Sequence, residues 1–176
     1  MQEVKIYDTT LRDGTQAEDF SLSLEDKIRI ALKLDDLGIH YVEGGWPGSN
    51  PKDVGFFEEI RKYRLKQTQI AAFGATHHPS KTARADENLG ALLAAKTPVV
   101  TVFGNSWTVH VKEALHTTME HNLQLIHDSL AYLRPHVQTL FYDAEHFFDG
   151  FKADREYALR TLEKAREAGA DCLILC

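Results

Sequence analysis

The sequence predicts an α/β chain folded as a (β/α)8 TIM barrel, here an incomplete one. Three observations predict it. Short apolar runs rich in β-formers alternate with helical-period segments along the chain, and short joints connect them. That alternation is how right-handed βαβ units and a parallel sheet read in sequence. The first strand is followed by "DTTLRDGTQ", which holds one glycine and no G-x-G-x-x-G, so an open dinucleotide-binding sheet is disfavoured. Finally, the strand ends carry polar groups: Arg12 and Asp13, Glu43, Thr76 and His77, Asn105 and Ser106, Asp143 and Glu145. In a barrel the chemistry collects at the C-terminal ends of the strands.

The elements follow in order. "VKIYDTT" (4–10) reads as the first strand. Ser23 is a helix N-cap with Glu25 and Asp26 in the first turn; Leu24, Ile28, Ala31, Leu34 and Leu37 recur at helical spacing, and Gly38 ends the helix. "YVEGG" (41–45) is the second strand, and Pro51 opens the next helix near N1. Strands over 69–76 and 98–105 flank a helix over 87–95. A long helical stretch covers about 109–134, with a break near Thr117 and a stop at Pro135. A strand over 139–147, a helix over 154–170 capped by Asp154, and a last strand "CLILC" (172–176) complete the chain. "LDDLGIHYVE" and "AREAGADCLI" repeat one joint: helix, glycine, two residues, apolar strand. This makes six strands and five helices, where a closed barrel needs eight strands and about 250 residues. Two parallel edges are therefore left open, and "CLILC" is apolar on both faces. Such edges predict self-association, as a homodimer or other homo-oligomer.

Composition bounds the partners. The 176 residues carry 26 acidic and 20 basic side chains, a formal net charge of −6. That balance argues against a nucleic-acid or anionic-membrane partner. No apolar run approaches the roughly 18 residues of a membrane span. "MQEVKIYD" shows no basic stretch followed by an apolar one, so no secretory signal is expected. Cys172 and Cys176 would share one strand face with no other cysteine to pair with, which predicts reduced thiols and a cytoplasmic protein.

The strand ends suggest chemistry. An adjacent Arg and Asp can be a surface ion pair worth roughly 0–1 kcal/mol. At the exit of a buried parallel strand they can instead serve a site. Asp13 offers a hard oxygen to a divalent metal, and Arg12 offers a fork of donors suited to a carboxylate or a developing oxyanion. Glu43 either holds Arg12 by an ion pair or acts directly, and the two glycines after it let the backbone turn sharply. Glu145 can act as a base or support a ligand, or be a hydrogen-bonded interior carboxylate. It shares a strand face with Asp143 and not with Tyr142. The nine histidines form no H-x-H and no H-x-x-x-H, so a self-contained zinc site is not expected. Trp46 and Trp107 stand just past strand ends, where packing is the simpler role.

"YDTTLRDGTQ", "YVEGGWPGSNPKD" and "YDAEHFFDGFK", in this order, resemble the family of metal-dependent acyl-CoA condensing enzymes and lyases. That family includes the isopropylmalate, homocitrate and citramalate synthases and hydroxymethylglutaryl-CoA lyase. The second and third stretches are most similar to its citramalate-forming branch. The resemblance implies a (β/α)8 barrel of which residues 1–176 are the N-terminal portion of the catalytic domain. It implies Asp13 as a ligand of a divalent metal (Mg2+, Mn2+ or Zn2+), Arg12 and Gln16 as substrate-binding residues, and Arg12, Glu43 and Glu145 as catalytic ones. The implied substrates are small molecules, a 2-oxoacid and acetyl-CoA. The family's remaining metal ligands, an H-x-H pair and an asparagine, lie on later strands.

Overall fold

The computed structural model describes residues 3–18 and 20–176; of the predicted features only the first two residues of "MQEVKIYD" lie outside them. Six strands form one sheet in sequential order: β1 (Tyr7–Asp8), β2 (Tyr41–Gly45), β3 (Gln69–Ala75), β4 (Val99–Asn105), β5 (Thr139–Glu145) and β6 (Cys172–Leu175). Every neighbouring pair is parallel. The helices are α1 (Leu24–Leu37), α2 (Pro51–Ile60), α3 (Glu87–Ala94), α4 (Thr108–Glu113), α5 (Met119–Leu133), α6 (Phe147–Ala153) and α7 (Arg155–Glu167).

The sheet curls. In a flat sheet, strands four places apart stand about 19 Å from each other. Here the rings of Tyr7 on β1 and Phe141 on β5 have centroids 6.0 Å apart. The concave face therefore closes on itself as an incomplete barrel. Strand alternation sorts the side chains. Ala71, Val99 and Phe141 pack with Tyr7, Tyr41 and Ile174 inside the curl. Val42, Ile70, Val100, Val102, Leu140 and Tyr142 face the other way, into the larger core under the helices.

Local chemistry sets the helix boundaries. Ser23 Oγ accepts from the Asp26 N–H (3.1 Å) while Asp26 accepts from the Ser23 N–H (3.2 Å), a reciprocal cap that opens α1. Asn50, Asp86, Thr118 and Asp154 cap α2, α3, α5 and α7 with a side-chain oxygen that accepts from a first-turn N–H, without the reciprocal bond. Gly38 (φ 90°) and Gly169 (φ 95°) both turn left-handed, so the repeated joint is one structural device used twice.

Three expectations need correction. β1 is paired only over Tyr7–Asp8, because the Asp8 carboxylate accepts from the Thr10 N–H (3.0 Å) and starts a turn. The long stretch near 109–134 divides at the expected break near Thr117 into two helices, α4 and α5. His116 takes φ 50° between them, and Thr118 caps a new start. The strand predicted to reach residue 147 stops at Glu145, where His146 turns left-handed (φ 51°, ψ 37°) and α6 begins. The described residues thus hold seven α-helices rather than five. None of them is long and apolar enough to cross a membrane.

Candidate active site

The turn after β1 raises Arg12 over the concave mouth. Thr9 O accepts from the N–H groups of Arg12 (3.1 Å) and Gly14 (3.2 Å), and Asp13–Gln16 wind into a 3-10 turn. Leu11 is fully buried beneath that turn. The anchored leucine and the exposed strand end together aim the next two side chains at the mouth.

Glu43 is placed by a bulge. The pairing of β2 with β3 shifts register between Glu43 and Gly45. Gly45 has φ 148°, and a Cβ there would stand 2.3 Å from Asp53 Cγ. Asp53 in turn accepts from Lys27 Nζ (2.5 Å) and from the Trp46 N–H (2.8 Å). This buried Lys27–Asp53 pair joins α1 and α2 to the end of β2.

Arg12, Glu43 and Tyr7 form one network. Arg12 Nε donates to Glu43 Oε1, and Arg12 Nη1 donates to Asp13 Oδ1 at 3.1 Å. The guanidinium carbon lies 3.8 Å from the Phe73 ring centroid. The Tyr7 hydroxyl donates to Glu43 Oε2 (2.7 Å) and accepts from Thr101 Oγ1 (2.8 Å). Glu43 is 1% exposed. Burial pushes its carboxyl above the ordinary range, opposed by the Arg12 charge and by the donors Tyr7 and Arg12. Burial, and then the Glu43 charge, push the Tyr7 phenol far up, so it stays a donor at any physiological pH.

Asp13, Gln16, Asp143 and Glu145 line the same pocket as Arg12 and Glu43, a cavity of about 470 Å3. Every site residue expected from the sequence therefore faces one space. Burial, and then the Glu43 charge, push the Asp143 carboxyl up to about 6. Burial and the neighbouring carboxylates raise the Cys176 thiol. Phe73 and Phe103 stack (centroids 5.2 Å, 15°) on one wall, and Trp46 stands edge-on to both. Trp46 thus both packs and lines the pocket. Its indole N–H donates to Asn88 Oδ1 (2.6 Å).

Other polar strand ends do not join this site. The His77 N–H donates to Ser129 Oγ (2.9 Å), Ser106 Oγ meets Thr161 Oγ1 (2.8 Å), and Asn105 O accepts from Asn122 Nδ2 (2.8 Å). They tie strand ends to α5 and α7. Sequence reasoning missed Tyr7, Thr101, Phe73 and Phe103. Residues 99, 101, 103 and 141, 143, 145 each share a face by alternation, and that signal could have placed Thr101 and Phe103 beside Asp143.

Asp13, 61% exposed at its side chain on the rim, fits a hard cation as one oxygen ligand. Among the described residues, however, no three His, Cys, Asp or Glu side chains converge on a set that would hold a metal ion.

A curled parallel half-barrel with a guanidinium–carboxylate pair at its first two strand ends defines the class. Residues 3–176 match the model of the HMGL-like family, and the chain belongs to that family. It is 60% identical to the (R)-citramalate synthase of Geobacter sulfurreducens over all of its own length and 33% of that protein's. It is 54% identical to the (R)-citramalate synthase of Aquifex aeolicus, over 99% of its own length and 33% of that protein's. The chain thus spans about a third of the length of these relatives. Proteins named 2-isopropylmalate synthase match at about 30% identity. Among solved structures, the HMG-CoA lyase of Bacillus subtilis superposes with a TM-score of 0.77 at 20% identity, over 97% of this chain and 57% of that one. That likeness bears on the fold.

Proposed function

We propose that residues 1–176 are the N-terminal portion of a TIM-barrel catalytic domain that condenses acetyl-CoA with pyruvate to give (R)-citramalate and CoA, in cytoplasmic isoleucine synthesis. The observation that carries the reading is the Arg12 guanidinium, fixed by Glu43 on one edge and beside Asp13 on another, facing a pocket with an aromatic wall. The high identity to citramalate synthases, against about 30% for isopropylmalate synthases, supports pyruvate as the acceptor.

A base removes a methyl proton from acetyl-CoA. The enolate carbon bonds to the ketone carbon of pyruvate, and the ketone oxygen gains the electron pair and then a proton. Water cleaves the thioester and releases CoA. Arg12 binds the oxoacid and faces the oxygen on which charge grows, so its stabilisation is greatest in the transition state. Glu43 fixes the plane of the guanidinium. Glu145, at the end of β5 in the same pocket, serves as an acid–base group, and Gln16 contributes a polar contact. A divalent metal (Mg2+, Mn2+ or Zn2+), when bound, would take Asp13 as one ligand and act as a Lewis acid. Its other ligands are not among the residues described. The assembly is a homodimer or other homo-oligomer.

The test is CoA release by the protein expressed from its native gene, with a panel of 2-oxoacids. Pyruvate should turn over fastest; faster turnover of 2-oxoisovalerate would reassign the acceptor.

A further inference from the structure

We propose that Asp143 meets the substrate as a neutral carboxylic acid and donates a hydrogen bond to the anionic 2-oxoacid held by Arg12. The proposal rests on the condensing-enzyme reading above and adds a binding residue, with its protonation state, to the pocket.

Geometry carries it. Asp143 is 9% exposed, and alternation along β5 turns it into the concave pocket with Glu145. Its Oδ1 is buried and has no hydrogen-bond partner among the described residues. Buried polar atoms are nearly always partnered, and leaving this oxygen unpartnered costs far less in a neutral acid than in a carboxylate, while the group as a whole lines the pocket. The facing groups come from every neighbouring element: Tyr7 from β1, Arg12 and Asp13 from the turn after it, Glu43 from β2, Glu145 and His146 from the end of β5, and Cys176 from beyond β6. Among the described residues the pocket holds one guanidinium, and Glu43 and Asp13 already engage it. Asp143 has no ion-pair partner among the described residues; the Cys176 thiol is its near neighbour.

The charge argument then decides the state. A carboxylate at Asp143 would sit buried beside Glu43 and would repel an incoming oxoacid anion. A protonated Asp143 removes that repulsion and supplies the donor that the anion needs. The raised titration of this carboxyl in the free pocket, to about 6, agrees with this. An arriving anion should raise it further, so binding near neutral pH should draw a proton from solution.

The experiment is titration calorimetry of pyruvate into the natively expressed protein near pH 7, in two buffers of different ionisation enthalpy. Net proton uptake is expected for the wild type. Asp143→Asn keeps a neutral donor, so it should bind pyruvate within about threefold of wild type with no uptake. Asp143→Ala, which keeps no donor, should weaken binding about tenfold. Absence of proton uptake in the wild type, or Asp143→Asn binding no better than Asp143→Ala, would overturn the proposal. The panel includes 2-oxoisovalerate. If that acid, and not pyruvate, binds with uptake abolished by Asp143→Asn, the pyruvate reading fails while the role of Asp143 stands. If no 2-oxoacid binds, both fall.

Discussion

Arg12 and Glu43, 31 residues apart in sequence, share a hydrogen-bonded ion pair at the concave mouth of the sheet. The pair is reinforced from below by Tyr7, whose hydroxyl holds the second carboxylate oxygen at 2.7 Å. Glu43→Gln would leave the guanidinium without its buried counter-charge and Tyr7 with a weaker acceptor. Breaking a buried pair by removing one partner costs about 3 kcal/mol. Urea denaturation should show a loss of that order. A change near zero would mean that solvent already screens the pair.

Gly45 is the backbone device behind that placement. Gly45→Ala puts a methyl group where Asp53 stands, at a φ that L-residues rarely adopt. The Lys27–Asp53 pair and the Trp46 N–H contact would be displaced together. The expected loss is about 2 kcal/mol of stability, with weaker oxoacid binding because Glu43 shifts. Gly55→Ala on α2 is the control, since nothing among the described residues lies within 4 Å of its added methyl. Equal effects at the two positions would show that the bulge plays no special part.

Much of this arrangement is legible in the sequence, and the reasons it stops are physical. Caps are local, so Ser23, Pro51 and Asp154 mark helix starts correctly. Gly38 and Gly169 mark the joints for the same reason. The break of 109–134 into two helices is only partly legible, because the left-handed turn falls on His116 rather than on a glycine. The same holds for His146, which hides the start of α6. Strands buried on both faces read as continuous apolar runs, so Phe73 gives no sign that it faces a pocket. Tyr7 supports Glu43 through the curl of the sheet, and curvature is not written in any single strand.

Asp35 should govern the acid limb of the stability curve. Burial alone would raise its carboxyl, but the N–H groups of Lys66, Thr68 and Gln67, at 2.8–3.0 Å, outweigh burial and hold it at about 2. Its folded value lies below the unfolded one of about 3.9. The contribution is therefore fully present above about pH 4 and fades as pH falls toward 2. Asp35→Ala should cost about 3 kcal/mol at neutral pH by stranding those donors, and less near pH 2. Denaturation curves at both pH values check this; a pH-independent loss would contradict it.

The open edges of the sheet, β1 and β6, should make the 176-residue chain associate. Leu175 on β6 is 45% exposed, and an apolar parallel edge is a template for another chain. Leu173, by contrast, packs against the helix-side core, so Leu175→Lys alone is the clean probe. Light scattering at low micromolar concentration should show species larger than a monomer, reduced by Leu175→Lys. A monodisperse monomer in both cases would refute association through this edge.

The most direct measurement is steady-state CoA release from acetyl-CoA and pyruvate by the natively expressed protein and its Arg12→Lys variant. Lysine keeps the charge but cannot hold Glu43, reach Asp13 and lie over Phe73 with one planar fork. Pyruvate-dependent citramalate formation is expected in the wild type, with a fall in kcat of about 10²–10³-fold in Arg12→Lys. Arg12→Lys turning over pyruvate within about threefold of wild type would contradict it, because the oriented guanidinium is the feature on which the site is built.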